Sequence, residues 1–144
     1  MSPRLRRAHR LVELADSAER AARARAADAE RRVAAARARE SQAEARWLQE
    51  ACVREAYLVG AADLEQRGAY LRTLRAIADA ARCSADAVAA EEKQRAQEVV
   101  AAATERRKLE LWRDRIDQSD RAEEDRRERI GADELAARIT RSRA

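Results

Sequence analysis

The sequence predicts an all-α protein, a long two-helix antiparallel coiled-coil hairpin, and three observations support this fold class. Charged residues make up 40% of the 144 residues, phenylalanine is absent, and alanine supplies most of the apolar fraction. Such a chain has too little bulky apolar surface for a globular core, whereas Ala, Arg, Glu and Leu are strong helix formers. Only three glycines and one proline are present, which is unlike a disordered chain.

Helix one is predicted over residues 4–59, because no helix breaker lies between Pro3 and Gly60 and proline is tolerated at a helix start. Two rows recur every seven residues, three positions apart, as in a coiled coil. The first row reads Leu5, Val12, Glu19, Ala26, Val33, Glu40, Trp47, and the second Ala8, Ala15, Ala22, Ala29, Ala36, Ala43. Alanine at six successive core positions predicts close approach of a partner helix.

A corner is predicted over residues 60–68, which hold two of the three glycines. Helix two is predicted over residues 69–130, where Gly131 ends it, and residues 131–144 form a tail. The whole chain, 1–144, is predicted to form a single domain. The contacting stripe of helix two is predicted to be interrupted in its middle by Glu91, Arg95 and Glu98, where the contacting face shifts. Its members are Tyr70, Leu74, Ile77, Ala81, Ser84, Val88, Ala102, Leu109, Trp112, Ile116 and Ile130.

One continuous helix that dimerises is the alternative to a hairpin, since glycine costs only about 1 kcal/mol in a helix. The hairpin is favoured because the heptad phase is lost between Trp47 and Tyr70. A corner centred on residue 64 would place Trp47 beside Ala81. It would also join the four arginines of the first ten residues and the three of the last ten in one basic tip of charge +7.

Residue types that carry chemistry are scarce. His9 is the only histidine, no glycine-rich phosphate loop occurs, and the spacing of Cys52 and Cys83 fits neither a metal site nor a redox motif. We therefore expect no metal, no cofactor and no enzymatic activity, and reduced thiols that are buried or half-buried. No apolar run approaches the roughly 20 residues of a membrane span. The basic tip lacks interleaved aromatics, so nucleic acid is not an expected partner.

Two stretches resemble the FliJ/YscO family, the central stalk proteins of flagellar and virulence type III secretion ATPases. AYLRTLRAIADAAR (69–82) is similar to the start of the family's second helix, with its aromatic-x3-Leu-x2-aliphatic pattern. ERRKLELWRDRIDQSDRAEEDRRERIGADELAARI (105–139) is similar to its charged block, following Trp or Leu, Glu-rich helix and D-E-L/F-A signature. The predicted hairpin layout and the order of these features also agree with the family.

The resemblance implies a non-enzymatic cytoplasmic stalk, peripheral to the inner-membrane secretion apparatus, that promotes assembly of a hexameric ATPase and couples it to the cytoplasmic domain of the export gate. Secretion chaperones are a further partner class that the family implies. The ATPase contact would then comprise Arg4, Arg6, Arg7, Arg10, Arg106, Arg107 and Lys108. The gate contact would comprise Tyr70, Leu74, Ile77 and Ala81, which have the spacing of a helix face that docks in a groove.

Two alternatives stay open at this level. The four gate-contact residues lie on the predicted stripe, so they could serve only to close the hairpin. The chain could also be a generic bacterial coiled-coil scaffold or adaptor with no ATPase partner. The excess of alanine and arginine favours the virulence branch over the flagellar one.

Overall fold

Two long helices build the protein. The structure, a computed structural model, describes residues 2–53 and 60–143. Over these residues the chain forms α1 (Pro3–Cys52) and α2 (Ala61–Arg143), and it contains no strand. The helices pack against each other as a two-helix hairpin, so the predicted fold class is confirmed.

The start of α1 is capped by its own sequence. Ser2 Oγ accepts a hydrogen bond from the Leu5 amide at 3.1 Å, and the Ser2 carbonyl accepts one from the Arg6 amide at 3.1 Å. Pro3 occupies the first helical position, where its missing N–H costs nothing. This start agrees with the prediction to within one residue.

The end of α1 and the start of α2 differ from the predicted corner. The continuation of helix one over residues 54–59 lies outside the described residues. α2 begins at Ala61, so residues 61–68, predicted as the corner, are helical and Gly68 lies inside α2. The Leu64 amide donates to the Gly60 carbonyl at 3.2 Å. Arg67 donates to the carbonyl and carboxylate of Glu50 in the last turn of α1, where a cation stabilises a helix end.

Gly131 does not end the second helix, which corrects the predicted boundary at residue 130 and the separate tail. α2 continues to Arg143, and none of the described glycines has a positive φ. Glycine costs only about 1 kcal/mol in a helix interior, so it permits a left-handed cap but does not force one.

The helix pair divides into two compact units, residues 1–20 with 100–144 and residues 21–99. Within residues 21–99 the helices are antiparallel. Arg25 contacts Glu98 at 3.9 Å and Arg32 contacts Glu91 at 3.0 Å, so seven residues forward on α1 match seven backward on α2. Trp47 lies against the Arg75 guanidinium, 4.7 Å from ring centroid to Cζ, and not beside Ala81 as predicted. The pairing is shifted because α2 begins earlier than expected.

The predicted rows of α1 do form its contact surface. All of their members are buried or half-buried. Ala8, Ala22, Ala29 and Ala36 are at most 4% exposed. The alanine row therefore brings the two backbones close together, as predicted.

Leu74, Ala81 and Val88 of the predicted stripe do face α1, whereas its row of Tyr70, Ile77 and Ser84 is displaced by one position from the contact surface of α2. Tyr70, Ile77 and Ser84 are exposed, whereas Leu74, Ala78 and Ala85 are buried. The seam, meaning the positions that face the other helix, alternates steps of four and three without interruption: Arg67, Leu71, Leu74, Ala78, Ala81, Ala85, Val88, Glu92, Arg95, Val99, Ala102, Arg106, Leu109, Arg113, Ile116 and Asp120. The predicted irregularity is absent from this stretch, because the seam itself accommodates charged residues.

Candidate docking site

The first two turns of α1 expose a row of arginines. Arg4, Arg6, Arg7 and Arg10 are all exposed, and no hydrogen bond or ion pair joins their guanidinium groups to another described residue. Elsewhere on the helix pair many arginines are neutralised by carboxylates, as Arg37 is by Glu40 and Asp86 at 2.8 and 2.9 Å. Positive charge is thus left available at the start of α1.

An apolar groove lies beside these arginines. Its volume is about 380 Å³, and it is lined by Arg4, Arg7, Leu11, Trp112 and Ile116. The Trp112 side chain is 41% exposed although it is the largest apolar group in the groove. An exposed tryptophan flanked by exposed arginines is the composition typical of a protein-binding hot spot.

Sequence reasoning missed this groove. The apolar pattern of helix two assigns Trp112 and Ile116 to the helix–helix stripe. The two heptad rows of helix one do not include Leu11. The signal was present in the doubled apolar positions Leu11 and Val12, which make the apolar surface of α1 wider than a single row at this end.

The predicted second basic cluster is not equivalent to the first. Arg106 contacts Glu19 at 2.5 Å and also contacts Glu110, and Glu19 is only 3% exposed. The hydrogen bond from Arg106 to Glu19, followed by the charges of Glu110 and Glu19, raises the pKa of Arg106. Arg106 therefore links α2 to α1 and is not available for a partner.

Arg107 and Lys108 are exposed, and both pair with acids of their own helix. Arg107 contacts Glu110 at 3.3 Å, and Lys108 contacts Glu105 at 3.6 Å. Such surface pairs contribute little to stability and open readily. These two residues remain accessible to a partner.

The predicted basic tip of charge +7 is wrong. Ser2 and Leu5 share a cavity with Asp120 and Glu124, so the start of α1 lies beside this part of α2. α2 then continues to Arg143, which places Arg138 about 20 Å further along the helix axis at 1.5 Å per residue. The arginines of the two termini therefore form two separate clusters.

A second cavity, of about 510 Å³, lies at the start of α1 and is rich in acids. Oδ2 of Asp120 is buried and accepts no hydrogen bond from any described residue. Ser2 and Leu5 line the same cavity, which puts this carboxylate near the positive end of the α1 dipole. The other acids that line it are Asp114, Asp117 and Glu124.

The four predicted gate-contact residues fall on two different surfaces. Leu74 is 5% exposed and Ala81 is half-buried, and both face α1. Tyr70 and Ile77 are 38% and 53% exposed and point away from it. The outward surface of α2 here is free of charge over five turns, and its exposed members are Ala69, Tyr70, Thr73, Ala76, Ile77, Ala80, Cys83, Ser84 and Ala87.

The remaining sequence expectations concern reactive groups and membranes. Cys52 and Cys83 are free, as predicted, but exposed rather than buried. Within residues 2–53 and 60–143 no group of three or more His, Cys, Asp or Glu side chains could hold a metal ion. Neither described helix has a stretch that is apolar enough to cross a membrane.

Comparison with known proteins gives no family assignment: no protein-family model, curated protein or solved structure matches this chain.

Proposed function

We propose that the chain is a non-enzymatic central stalk of a type III secretion ATPase complex, which promotes assembly of the ATPase hexamer and couples it to the export gate. The observation that carries the proposal is the group of exposed arginines at the start of α1, two of which line the groove of Leu11, Trp112 and Ile116. The resemblance of residues 69–82 and 105–139 to the FliJ/YscO family supplies the identity of the partner.

The groove offers two kinds of binding energy at one place. Burying the exposed Trp112 ring would supply the apolar contribution, and Arg4 and Arg7 would orient an acidic partner surface. Arg6 and Arg10 extend the positive field on the same turns of α1. We assign the ATPase contact to this groove, with Arg107 and Lys108 as accessory cations and Arg106 as a structural residue.

The export-gate contact is assigned to the uncharged outward surface of α2. Tyr70 and Ile77 would be its anchors, because they are the exposed large side chains of that surface. Leu74 and Ala81 would support it from the seam. Secretion chaperones remain a further partner class of a stalk at the cytoplasmic side of the secretion apparatus.

The test measures hydrolysis rate and hexamer formation of the type III secretion ATPase from the same organism, with and without this protein. We expect the wild-type protein to stimulate both, and the variant Arg4→Glu/Arg7→Glu to lose the effect. The matched control is Arg46→Glu/Arg72→Glu, which makes the same change of charge at two exposed arginines far along the chain from the groove.

Equal loss in the control variant would mean that net charge, and not the groove, is responsible. A wild-type protein that neither binds nor stimulates the ATPase would overturn the proposal and leave a coiled-coil scaffold or adaptor with another partner.

A further inference from the structure

One edge of the helix pair in residues 21–99 carries a ladder of charge pairs between α1 and α2. Arg25 contacts Glu98 at 3.9 Å, and Arg32 contacts Glu91 at 3.0 Å. The two arginines are seven residues apart on α1, and the two glutamates are seven residues apart on α2. Each further step of the ladder is therefore seven residues forward on α1 and seven backward on α2.

The ladder lacks carboxylates at its next two steps. Counting on places Arg39 level with Ser84 and Arg46 level with Ile77. Both arginines are exposed, and Nε of Arg39 donates to the Ala35 carbonyl at 3.3 Å. No ion pair joins either guanidinium group to another residue that the structure describes. Two positive charges thus stand on this edge without a counter-charge from the described part of the chain.

Arginines at the same level of the opposite edge are neutralised. Arg75 contacts Glu44 at 3.2 Å, and Arg82 contacts Glu40 at 3.5 Å. The same part of the hairpin therefore pairs the arginines on one edge with carboxylates of the facing helix and leaves those on the other edge bare. A general excess of arginine would not separate the two edges in this way.

Large apolar side chains of α2 lie beside the bare arginines. Tyr70 and Ile77 are 38% and 53% exposed, and they are seven residues apart, as Arg39 and Arg46 are. The Arg67 guanidinium lies 5.7 Å from the centroid of the Tyr70 ring, a cation–π contact that orients the ring. We call this surface the arginine edge, and it comprises Arg39, Arg46, Tyr70, Ile77 and Ser84.

A seven-residue repeat is the repeat of one helix lying along another. A partner helix with an acidic residue at every seventh position, next to an apolar row, would bring carboxylates to Arg39 and Arg46 and would cover Tyr70 and Ile77. We propose that the arginine edge docks an acidic amphipathic helix in the cytoplasmic domain of the export gate. This inference refines the gate contact and rests on the proposed function.

The arginines give the contact its specificity. Burial of Tyr70 and Ile77 alone does not select the direction or register of a helix, whereas charge pairs fix both and exclude like-charged partners. Glu91 and Glu98 show which side chains such a row of arginines accepts. α1 is therefore part of the gate contact and does not only support α2.

Isothermal titration calorimetry of the full chain with the purified cytoplasmic domain of the export gate from the same organism tests the proposal. The wild type should bind, and its affinity should fall as salt rises because the ion pairs are screened. Arg39→Glu/Arg46→Glu should bind at least about tenfold more weakly, since attraction becomes repulsion. The affinity of this variant should no longer fall as salt rises.

A second variant satisfies one arginine from within the chain. Ser84→Glu places a carboxylate level with Arg39, as Glu91 is level with Arg32, and leaves both bare arginines in the sequence. It should weaken gate binding severalfold without lowering the melting temperature. The matched control is Arg138→Glu/Arg141→Glu, which makes the same charge change at two exposed arginines in the other compact unit and should bind within about twofold of wild type.

Equal binding by the wild type and Arg39→Glu/Arg46→Glu, or equal loss in the control, would overturn the arginine edge and leave the gate contact to Tyr70 and Ile77. Full gate affinity in Ser84→Glu would overturn it too, because Arg39 would then need no carboxylate from the partner. A wild type that does not bind the gate domain would overturn both this inference and the gate contact of the proposed function. Stimulation of the ATPase is measured without the gate domain, so it tests the other half of that function separately.

Discussion

Replacing Ala29 with leucine tests whether the alanine row really holds the two helices at close range. Ala29 is 3% exposed and lies on α1 between Ala22 and Ala36, which are equally enclosed. Leucine adds three carbon atoms at a position already in contact with α2. Leucine is also nearly as good a helix former as alanine, so α1 itself is little affected.

The sign of the change in unfolding free energy shows how closely the two helices pack at Ala29. In a loosely packed coiled coil, a new leucine at a core position would bury its side chain and stabilise the fold by about 1.5–3 kcal/mol. Between closely packed backbones it must displace neighbours, which costs about 1–3 kcal/mol. Because Ala29 has almost no exposed surface, we expect the second outcome. At roughly 4 °C per kcal/mol for a chain of this size, the melting temperature should fall by about 4–12 °C.

Thermal unfolding followed by circular dichroism at 222 nm measures this change. The control is Ala24→Leu, on the exposed side of the same helix, where a surface substitution should change stability by less than about 0.5 kcal/mol. A higher melting temperature for Ala29→Leu than for wild type would refute the close-packed alanine row.

Two further substitutions test the seam of α2 and its glycine. Leu74→Ala should destabilise the protein by about 2–5 kcal/mol in urea unfolding, because Leu74 is 5% exposed. Ile77→Ala should cost less than about 1 kcal/mol, because Ile77 is 53% exposed. Equal losses of unfolding free energy would mean that the seam is misassigned. Gly131→Ala should slow amide hydrogen exchange in residues 121–142, which are all exposed, by about fivefold. The added methyl group meets nothing within 4 Å, and alanine gains about 1 kcal/mol of helix propensity. Unchanged exchange would show that Gly131 does not limit the stability of this part of α2.

The contact surface of α1 could be predicted from the sequence because two observations agreed there. Alanine repeats every seven positions from Ala8 to Ala43, and the other row carries Leu5, Val12 and Trp47 at the matching spacing. No competing face of α1 has a comparable pattern. The buried alanines confirm this reasoning.

The contact surface of α2 was misjudged in part, because large apolar residues mark only some positions of its seam. Because Tyr70 and Ile77 are large and apolar, the prediction placed them on the contact surface, but both are exposed. Alanines such as Ala78 and Ala85 occupy the seam instead. Arg95 interrupts the predicted stripe, although it lies in register with the seam. In a helix pair whose contact residues are small or charged, side-chain size is a poor guide to which face is covered.

The glycines misled the placement of the corner and the tail for a different reason. Glycine at 68 and 131 predicts a helix end, yet both residues are helical without a positive φ. The helix penalty of about 1 kcal/mol per glycine is small beside the packing of the flanking seam or the cost of a fresh helix start. The groove beside Arg4 and Arg7 was missed because it depends on the register between the helices, which the misplaced corner shifted. The doubled apolar positions Leu11 and Val12 indicate only a wider apolar surface on α1, and not what lies opposite it.

The pair of Glu19 and Arg106 has a mechanical consequence. Glu19 is enclosed in the contact between the helices, with the Arg106 cation at 2.5 Å. If α2 slid along α1 by seven residues, Arg106 would meet Val12, and Glu19 would lose its cation in a place with little access to water. Taking a cation away from an enclosed carboxylate is strongly unfavourable. The pair therefore resists sliding in this direction, and a push or twist applied to the first turns of α1 is passed on to the adjoining turns of α2.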